Sequence, residues 1–403
     1  MMNNTTAIAT VNTTIVANNN SHIIGKDNKG RETVIPMITS IEQYSSLFPT
    51  QSWSALTPRD MLWEGVGKDV SHCLDTDAVF ELAGLNYGIE KVPAYIRLED
   101  ISSKKNYLKF RKVVREEIFT QDVIDKVIND LTDEEKEKEV IETGLIQIPM
   151  YAVIRDDNYT FLGIGTERLN PLANEKTREL CNVLFSLGFR FENAGVFDGG
   201  KVTYVSMKWK GDVLSGEKMD YYVVIINSFD GTKPFGIYIT PVRISCKNTM
   251  NLAIKRAVRF WKIKHTRTAE IRLNEVQESL MAFDHYIKGL DTEIDRMKML
   301  TLNDKKVMSF FETLFPVENG MTQRMIDNAM KQREELAYRY LNAPDLDGME
   351  QSAFRLMCAV TDFADHTAPQ RTTQNWKANR FLKNMSGANE LIDMTQQFID
   401  SQF

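Results

Sequence analysis

Between residues 189 and 246 the apolar positions recur at every second residue. Four such runs, at 189–197, 202–209, 219–227 and 235–246, are separated by Asp198-Gly-Gly200, Ser215-Gly216 and Asp230-Gly231. Alternation of this kind predicts strands, and the glycines between them supply the positive φ that tight hairpins require. Loops this short join only antiparallel neighbours, so the four runs predict one meander. On either side the period lengthens. Residues 172–187 predict a helix with Asn174 as N-cap, Glu175 and Glu179 early, and Gly188 just past its end. A second helix is predicted after the meander, capped by Asn248, with Met250, Ile254, Ala257 and Trp261 on one face and Lys255, Arg259 and Lys262 on another. The core is thus helix, antiparallel β-meander, helix, and the fold class is α+β.

Upstream, residues 92–98, 145–154 and 160–165 carry shorter strand signals, and residues 1 to about 35, rich in Asn and Thr, read as a mobile tail. Downstream, Leu273, Val276, Leu280, Phe283, Ile287, Leu290, Ile294 and Met297 alternate gaps of three and four. That spacing fits a long helix packed on a helical neighbour of its own chain, or a seam for self-association. Helices are expected at 322–341, 349–363 and 376–398. The resulting division is a disordered tail at 1–40, an α+β core domain at 41–272 with an acidic helical insertion at 104–143, and an all-helical C-terminal region at 273–403.

Charge is distributed unevenly along these elements. The insertion is acidic, with a run Asp133-Glu-Glu-Lys-Glu-Lys-Glu139 that reads as a solvated face. Between Lys233 and Leu273 stand Lys233, Arg243, Lys247, Lys255, Arg256, Arg259, Lys262, Lys264, Arg267 and Arg272 against the single acid Glu270, a local charge of +9 in a chain whose total is −6. A core cannot hold so many uncompensated cations, because desolvating each costs several kcal/mol. This stretch must face water, acids elsewhere in the chain, or an anionic partner. Between His366 and Asn389 the chain adds Arg371, Lys377, Arg380 and Lys383 with no acid.

Candidate chemistry is otherwise sparse. The 403 residues are 43% hydrophobic, enough for two or three domains, and no run approaches the roughly 20 apolar residues that span a bilayer. A cytoplasmic protein without membrane partners is expected. Cys73, Cys181, Cys246 and Cys358 are scattered in apolar surroundings and read as reduced core thiols, with no metal or other cofactor. His72-Cys73 is the one adjacent nucleophile–base pair, and sequence neighbours rarely present both side chains to one substrate. Gly163-Ile-Gly165 lacks the rest of a phosphate loop and reads as a tight turn. Asp156-Asp157, Asp198 and Asp230 stand in turn contexts where Asp is expected for backbone reasons. No catalytic constellation emerges, and the chain is not expected to be an enzyme.

Several motifs do carry a resemblance. They are Trp63-Glu-Gly-Val-Gly67, Leu82-Ala-Gly-Leu85, Arg155-Asp156 with Leu162-Gly163, Asn170-Pro-Leu-Ala-Asn174, Asn227-Ser-Phe-Asp-Gly231, Thr240-Pro-Val-Arg-Ile-Ser-Cys-Lys-Asn-Thr249 and Lys264-His-Thr266. Through them the chain, from about residue 60 to 398 without the insertion, resembles the phage/plasmid-like proteins, a domain-of-unknown-function family of prophages and plasmids. That family usually has His where this chain has Phe229, which counts against a catalytic histidine there. The order of elements is also similar to the core of Rad-type single-strand annealing proteins, whose rings bind unpaired DNA along a basic path over a meander and its helix; this likeness is an analogy of topology.

The cationic stretch and the analogy together give the expectation for function: a single-stranded-DNA binding and annealing protein of a phage or plasmid, working as a homo-oligomer, a ring by analogy, through a basic groove. Its contacts would be Arg243, Lys247, Lys255, Arg256, Arg259, Lys262, Lys264, His265 and Arg267, extended by Lys377 and Arg380, with Phe260 and Trp261 placed to stack on bases. The alternative is a protein-interaction module of a mobile element that counters a host defence system, with a host or phage protein as partner. A nucleic-acid-processing enzyme with Asp or Glu ligands is a third reading.

Overall fold

The computed structural model describes residues 21–36, 38–47, 65–97, 145–243, 283–367, 376–386 and 389–403, with positions 245, 248–249, 251–252, 260–266, 268–269 and 273. The expected acidic insertion lies outside the described residues. The chain divides into two compact units, one of residues 1–55 and 301–351, the other of 56–300 and 352–403.

In chain order the strands are β1 (Ser21–Lys26), β2 (Glu32–Pro36), β3 (Lys68–Asp69), β4 (Ile89–Arg97), β5 (Leu145–Arg155), β6 (Phe161–Gly165), β7 (Arg190–Phe197), β8 (Val202–Leu214), β9 (Glu217–Ser228), β10 (Phe235–Arg243), β11 (Asn248–Thr249) and β12 (Phe260–Ile263). The helices are α1 (Ile41–Leu47), α2 (Thr76–Leu82), α3 (Asn174–Ser186), α4 (Phe283–Met299), α5 (Asp304–Leu314), α6 (Gln323–Asn342), α7 (Ala353–Asp362), α8 (Trp376–Met385) and α9 (Glu390–Asp400). The class is α+β, with a helical C-terminal region.

In the smaller unit, β1 and β2 pair as an antiparallel hairpin, where the sequence suggested only a tail. The hairpin has little apolar alternation to announce it; its turn is made by Asp27, whose carboxylate accepts from the Lys29 and Arg31 amides at 2.9 Å each. Helix α1 lies along α6, and buried Arg333 on α6 donates to the Phe315 carbonyl at the end of α5 and to the Tyr44 hydroxyl. Residues 301–351 therefore pack with the N-terminal hairpin, which splits the helical region expected at 273–403.

The larger unit is built on the meander. Strands β7, β8, β9 and β10 pair antiparallel in sequence order. The β8–β9 hairpin turns through Ser215 at φ 49° and Gly216 at φ 83°, the left-handed pair that matches strand twist. Every residue of β10 is buried. Helices cover both sides. On the side called the front, Tyr204, Tyr222, Val224, Ile226, Tyr238 and Val242 pack with Val66 and with Phe381, Leu382 and Met385 of α8. On the back, Tyr221 and Trp209 meet Phe283 of α4 edge-on at 5.9 and 6.1 Å, and Phe191 stacks on Phe185 of α3. Buried Tyr286, Leu290, Ile294 and Met297 show that α4 spends its apolar stripe inside its own unit.

Four local expectations are corrected. Asn174 does not cap α3, since Ala173 holds that position; the Asn174 amide donates to the carbonyls of Leu85 and Tyr87 instead, tying the loop after α2 to the helix start. The helix expected at 376–398 is two helices, because Asn389 caps α9 through the Leu391 amide. Gly163 and Gly165 are strand residues of β6, where a Cβ on Gly163 would lie 2.4 Å from the Asp230 Cα; close packing, not a turn, requires the glycine. The second core helix is absent at both of its expected ends. Asn248-Thr249 and Phe260–Ile263 are strands that pair with β10, antiparallel, along the same edge. The open backbone groups of β10 and the β-prone Phe-Trp-Lys-Ile sequence outweigh the helical period there.

Candidate nucleic-acid interface

Strand β12 displays a period of two. Phe260, Lys262 and Lys264 are exposed, while Ile263 and His265 are buried and Trp261 is half-buried. Phe260 stands opposite Tyr238, and Lys262 opposite Gly236. Paired residues share a face, and Tyr238 belongs to the front cluster, so the exposed row lies on the front. The Phe260 and Tyr238 rings are 6.3 Å apart, and the Lys262 ammonium sits 4.5 Å from the Phe260 ring centre. Gly236 leaves room for Tyr238 to fold across it, since a Cβ there would lie 2.3 Å from the tyrosine ring.

Helix α8 covers the same front face. Its Phe381, Leu382 and Met385 point into the sheet, while Lys377 and Lys383 are exposed and Trp376 and Arg380 half-buried. Lys377 lies beside Gly65, where a Cβ would be 3.3 Å from its ammonium. The structure therefore brings four exposed lysines and one exposed aromatic ring to one side of the meander, from two elements distant in sequence.

Other candidate residues serve the fold. Arg243 is 3% exposed; its Nε donates to Glu217 Oε2 at 2.7 Å, and Lys298 takes the other carboxylate oxygen at 2.7 Å. Burial pushes the Glu217 carboxyl up, but the hydrogen bonds from Lys298 and Arg243 outweigh it and hold the group below its ordinary range. His265 is also a core residue. The Leu172 amide donates to Nδ1 at 3.4 Å, which leaves Nε2 to carry the proton and donate to the Lys233 carbonyl at 3.2 Å. Desolvation keeps this imidazole neutral by lowering its pKa from 6.5. Arg380 donates to the His366 carbonyl at 2.9 Å and lies 5.0 Å from the Trp376 ring centre. Arg243 and His265 are buried and do not face solvent as strand-binding groups would, whereas Arg380 is half-buried on the front-face helix. Lys247, Lys255, Arg256, Arg259 and Arg267 lie outside the described residues.

The motifs that carry the resemblance act in the same structural way. Asn227 donates to the Leu172 carbonyl at 2.7 Å, Asp230 accepts from the Thr232 amide at 2.8 Å, and Phe229 is fully buried, edge-on to Tyr87. The Arg155 guanidinium covers the Tyr87 ring at 3.9 Å and pairs with Asp157, while Asp156 accepts from the Gly88 amide. An open cleft of about 440 Å³ is lined by Asn86, Tyr87, Asp156, Asp157, Asn174 and Arg178, among others. Its two aspartates are already engaged as described, and Arg178 is tied to Asp77 and Asn86. Among the described residues no three His, Cys, Asp or Glu side chains gather where they could hold a metal ion. Cys73 and Cys181 are buried free thiols, and Cys358 is also buried.

Thr249, the last residue of its motif, meets a residue that sequence reasoning missed. Asp365 is 1% exposed and sits in a π-helical turn, Phe363–Thr367, that continues α7. It accepts from the Thr249 amide at 2.6 Å, from the Thr249 hydroxyl at 2.9 Å and from the Asn384 amide at 2.8 Å. Burial pushes its carboxyl up to about 7, against the pull of the Thr249 hydrogen bonds. Lys383 was missed as a site residue too, although it stands two positions from the buried pair of Phe381 and Met385 on either side, on the outer face of an amphipathic helix. No sequence signal marks Asp365, because Thr249 stands 116 residues away and Asn384 lies on a separate helix 19 residues on.

Fold and site together define an α+β protein whose central sheet is covered by helices on both sides and bordered by a lysine-bearing edge strand. The chain belongs to the family described as "Domain of unknown function (DUF932)", whose model matches residues 162–384. That span runs from β6 to α8 and includes both rows of exposed lysines. No curated protein and no solved structure matches the chain. Among the described residues no helix is long and apolar enough to cross a membrane.

Proposed function

We propose that this protein binds and anneals single-stranded DNA for a phage or plasmid, in the cytoplasm and as a homo-oligomer, with the front of the meander as its contact surface. The observation that carries the reading is the row Phe260, Lys262 and Lys264 on the same face as Lys377 and Lys383 of α8, in a chain of net charge −6. Lysines neutralise phosphates regardless of sequence. An exposed ring stacks on unpaired bases, which a duplex keeps inside its own stack. Annealing asks for no covalent chemistry: neutralised backbones and accessible base edges suffice. The role of Lys247, Lys255, Arg256, Arg259 and Arg267 in this reading rests on sequence charge, Arg380 stays at its margin as a half-buried cation of α8, and the buried Arg243 and His265 leave it. Association of copies would use a surface other than the α4 stripe, which is buried. The reading as a protein-interaction module relied on that stripe and on the acidic insertion, and no described surface favours it.

The test is the annealing rate of two complementary labelled oligonucleotides, followed by energy transfer at low salt. The wild-type chain should accelerate annealing, and a Lys262→Glu, Lys264→Glu, Lys377→Glu, Lys383→Glu variant of unchanged circular dichroism should lose most of that effect. Equal acceleration by both proteins, or by neither, would remove the front face from consideration.

A further inference from the structure

Helix α8 carries a second aromatic ring on its outer side. Phe381, Leu382 and Met385 turn inward to the front cluster. At about 100° per residue, Trp376 falls on the opposite side of the helix, with Arg380 and Lys383 following it at spacings of four and three. The three residues form one stripe along the outside of α8. Lys383 is exposed, and Trp376 and Arg380 are half-buried, so the ring keeps contact with water where a core tryptophan would lose it. Two cations stand beside it. The Arg380 guanidinium lies 5.0 Å and the Lys377 ammonium 5.9 Å from the Trp376 ring centre, and Arg380 is steadied by its hydrogen bond to the His366 carbonyl at 2.9 Å. The same pairing of ring and cation occurs on β12, where the Lys262 ammonium lies 4.5 Å from the Phe260 ring centre.

The ends of α8 fix how the two rings are placed. At its C-terminal end the Met385 carbonyl accepts from the Thr240 hydroxyl at 3.4 Å, two residues along β10 from Tyr238, the partner of Phe260. At its N-terminal end Lys377 lies beside Gly65, and the carbonyl of the next residue, Val66, accepts from Tyr204 of β8 at 2.9 Å. The helix therefore crosses the front from β8 to β10, with Trp376 at the far end from Phe260. A helix rise of about 1.5 Å per residue and one strand spacing of about 5 Å put roughly 15–20 Å between the rings. At the rise of about 3.4 Å per nucleotide of a stacked strand, that distance takes about five nucleotides.

Resting on the annealing reading, we infer that Trp376 is a second base-stacking platform, and that the bound strand runs along the outside of α8 from Phe260 to Trp376, with Lys383 and Arg380 between the two rings. Every base offers a π-face, so both platforms accept any sequence, and both need that face free. The substrate this defines is a strand unpaired over about five consecutive nucleotides. A shorter unpaired gap reaches one ring only.

Titration of the full chain with a labelled oligothymidylate long enough to reach both rings, and with an abasic strand of equal length and charge, tests this. Trp376→Ala should bind the oligothymidylate about tenfold more weakly, bind the abasic strand as the wild type does, and keep the wild-type salt slope, because the ring carries no charge. Trp376→Phe should retain most of the affinity. Phe260→Ala, which removes the ring already assigned to the contact surface, is the comparison that tests the annealing reading. Unchanged affinity for the oligothymidylate in Trp376→Ala would overturn the inference. So would an equal loss on both strands with a shallower salt slope, which would make Trp376 a support for Arg380. A loss in Phe260→Ala alone leaves the annealing reading standing without the second platform, whereas a wild-type chain that binds neither strand removes both.

Discussion

Removing the Glu217 carboxylate should damage this fold more than removing either of its cations. Arg243 has a side chain only 4% exposed, Glu217 is 13% exposed and Lys298 31% exposed. In Glu217→Ala the guanidinium stays buried without this carboxylate, a situation that costs about 3–5 kcal/mol. Lys298 can turn to water, so Lys298→Ala should cost no more than about 1 kcal/mol. Arg243→Met falls between, at about 1.5–3 kcal/mol, because Lys298 continues to neutralise Glu217 while one charge-assisted hydrogen bond is lost. Urea unfolding at pH 7, followed by tryptophan fluorescence and by exchange of the β9 and β10 amides, measures all three. The pH dependence has a definite sign: the folded-state pKa of Glu217 lies below 4.5, so its contribution is full above 4.5 and is lost as pH falls from there through the lower folded-state pKa. A Glu217→Ala protein within about 1 kcal/mol of wild type, or a Lys298→Ala protein equally destabilised, would refute the reasoning. The same series bears on function, since a folded Arg243→Met protein should keep its affinity for single strands.

Two further groups should oppose one another on acidification. His265 has a lowered pKa, so the stability linked to it is full above 6.5 and declines as pH drops below that value; His265→Gln should flatten this part of a melting-temperature profile. Asp365 is raised from 3.8 to about 7, so between those values the folded chain holds more protons than the unfolded one, and its contribution improves as pH falls from 7 towards 4. Asp365→Asn should remove that gain, and an unaltered profile would contradict the burial of its carboxylate. Lys383→Glu should weaken binding of a single strand with no change in melting temperature, because the side chain is exposed; a matching loss of stability would return Lys383 to a structural role.

The meander was legible because its signals are local: alternation within each run, and the glycines at 199, 200, 216 and 231 that permit the turns. The β4, β5 and β6 strands were legible for the same reason. What failed was decided at long range. The 260–263 segment has helical spacing and becomes a strand because β10 offers an unpaired edge. The hairpin at 21–36 is held by an aspartate at its turn and by α6, whose Gln323 meets Val34 from 289 residues along the chain. For the site, the count of cations identified the right region but could not separate Lys262 and Lys264, which face water, from Arg243, which is paired inside the unit. Only the register on β10 makes that distinction. Lys377 and Lys383 join the site because Phe381, Leu382 and Met385 seat α8 on the front cluster, a contact no local pattern contains.

The central claim is met most directly by fluorescence anisotropy of a labelled single-stranded oligonucleotide titrated with the full chain at low and high salt, with duplex as competitor. The account expects saturable binding that prefers the single strand and weakens with salt at a slope of about 0.7 per phosphate neutralised, reduced in the Lys262→Glu, Lys264→Glu variant. No binding at low salt, or binding indifferent to salt and to those two charges, would contradict it and leave the exposed lysines to another anionic partner.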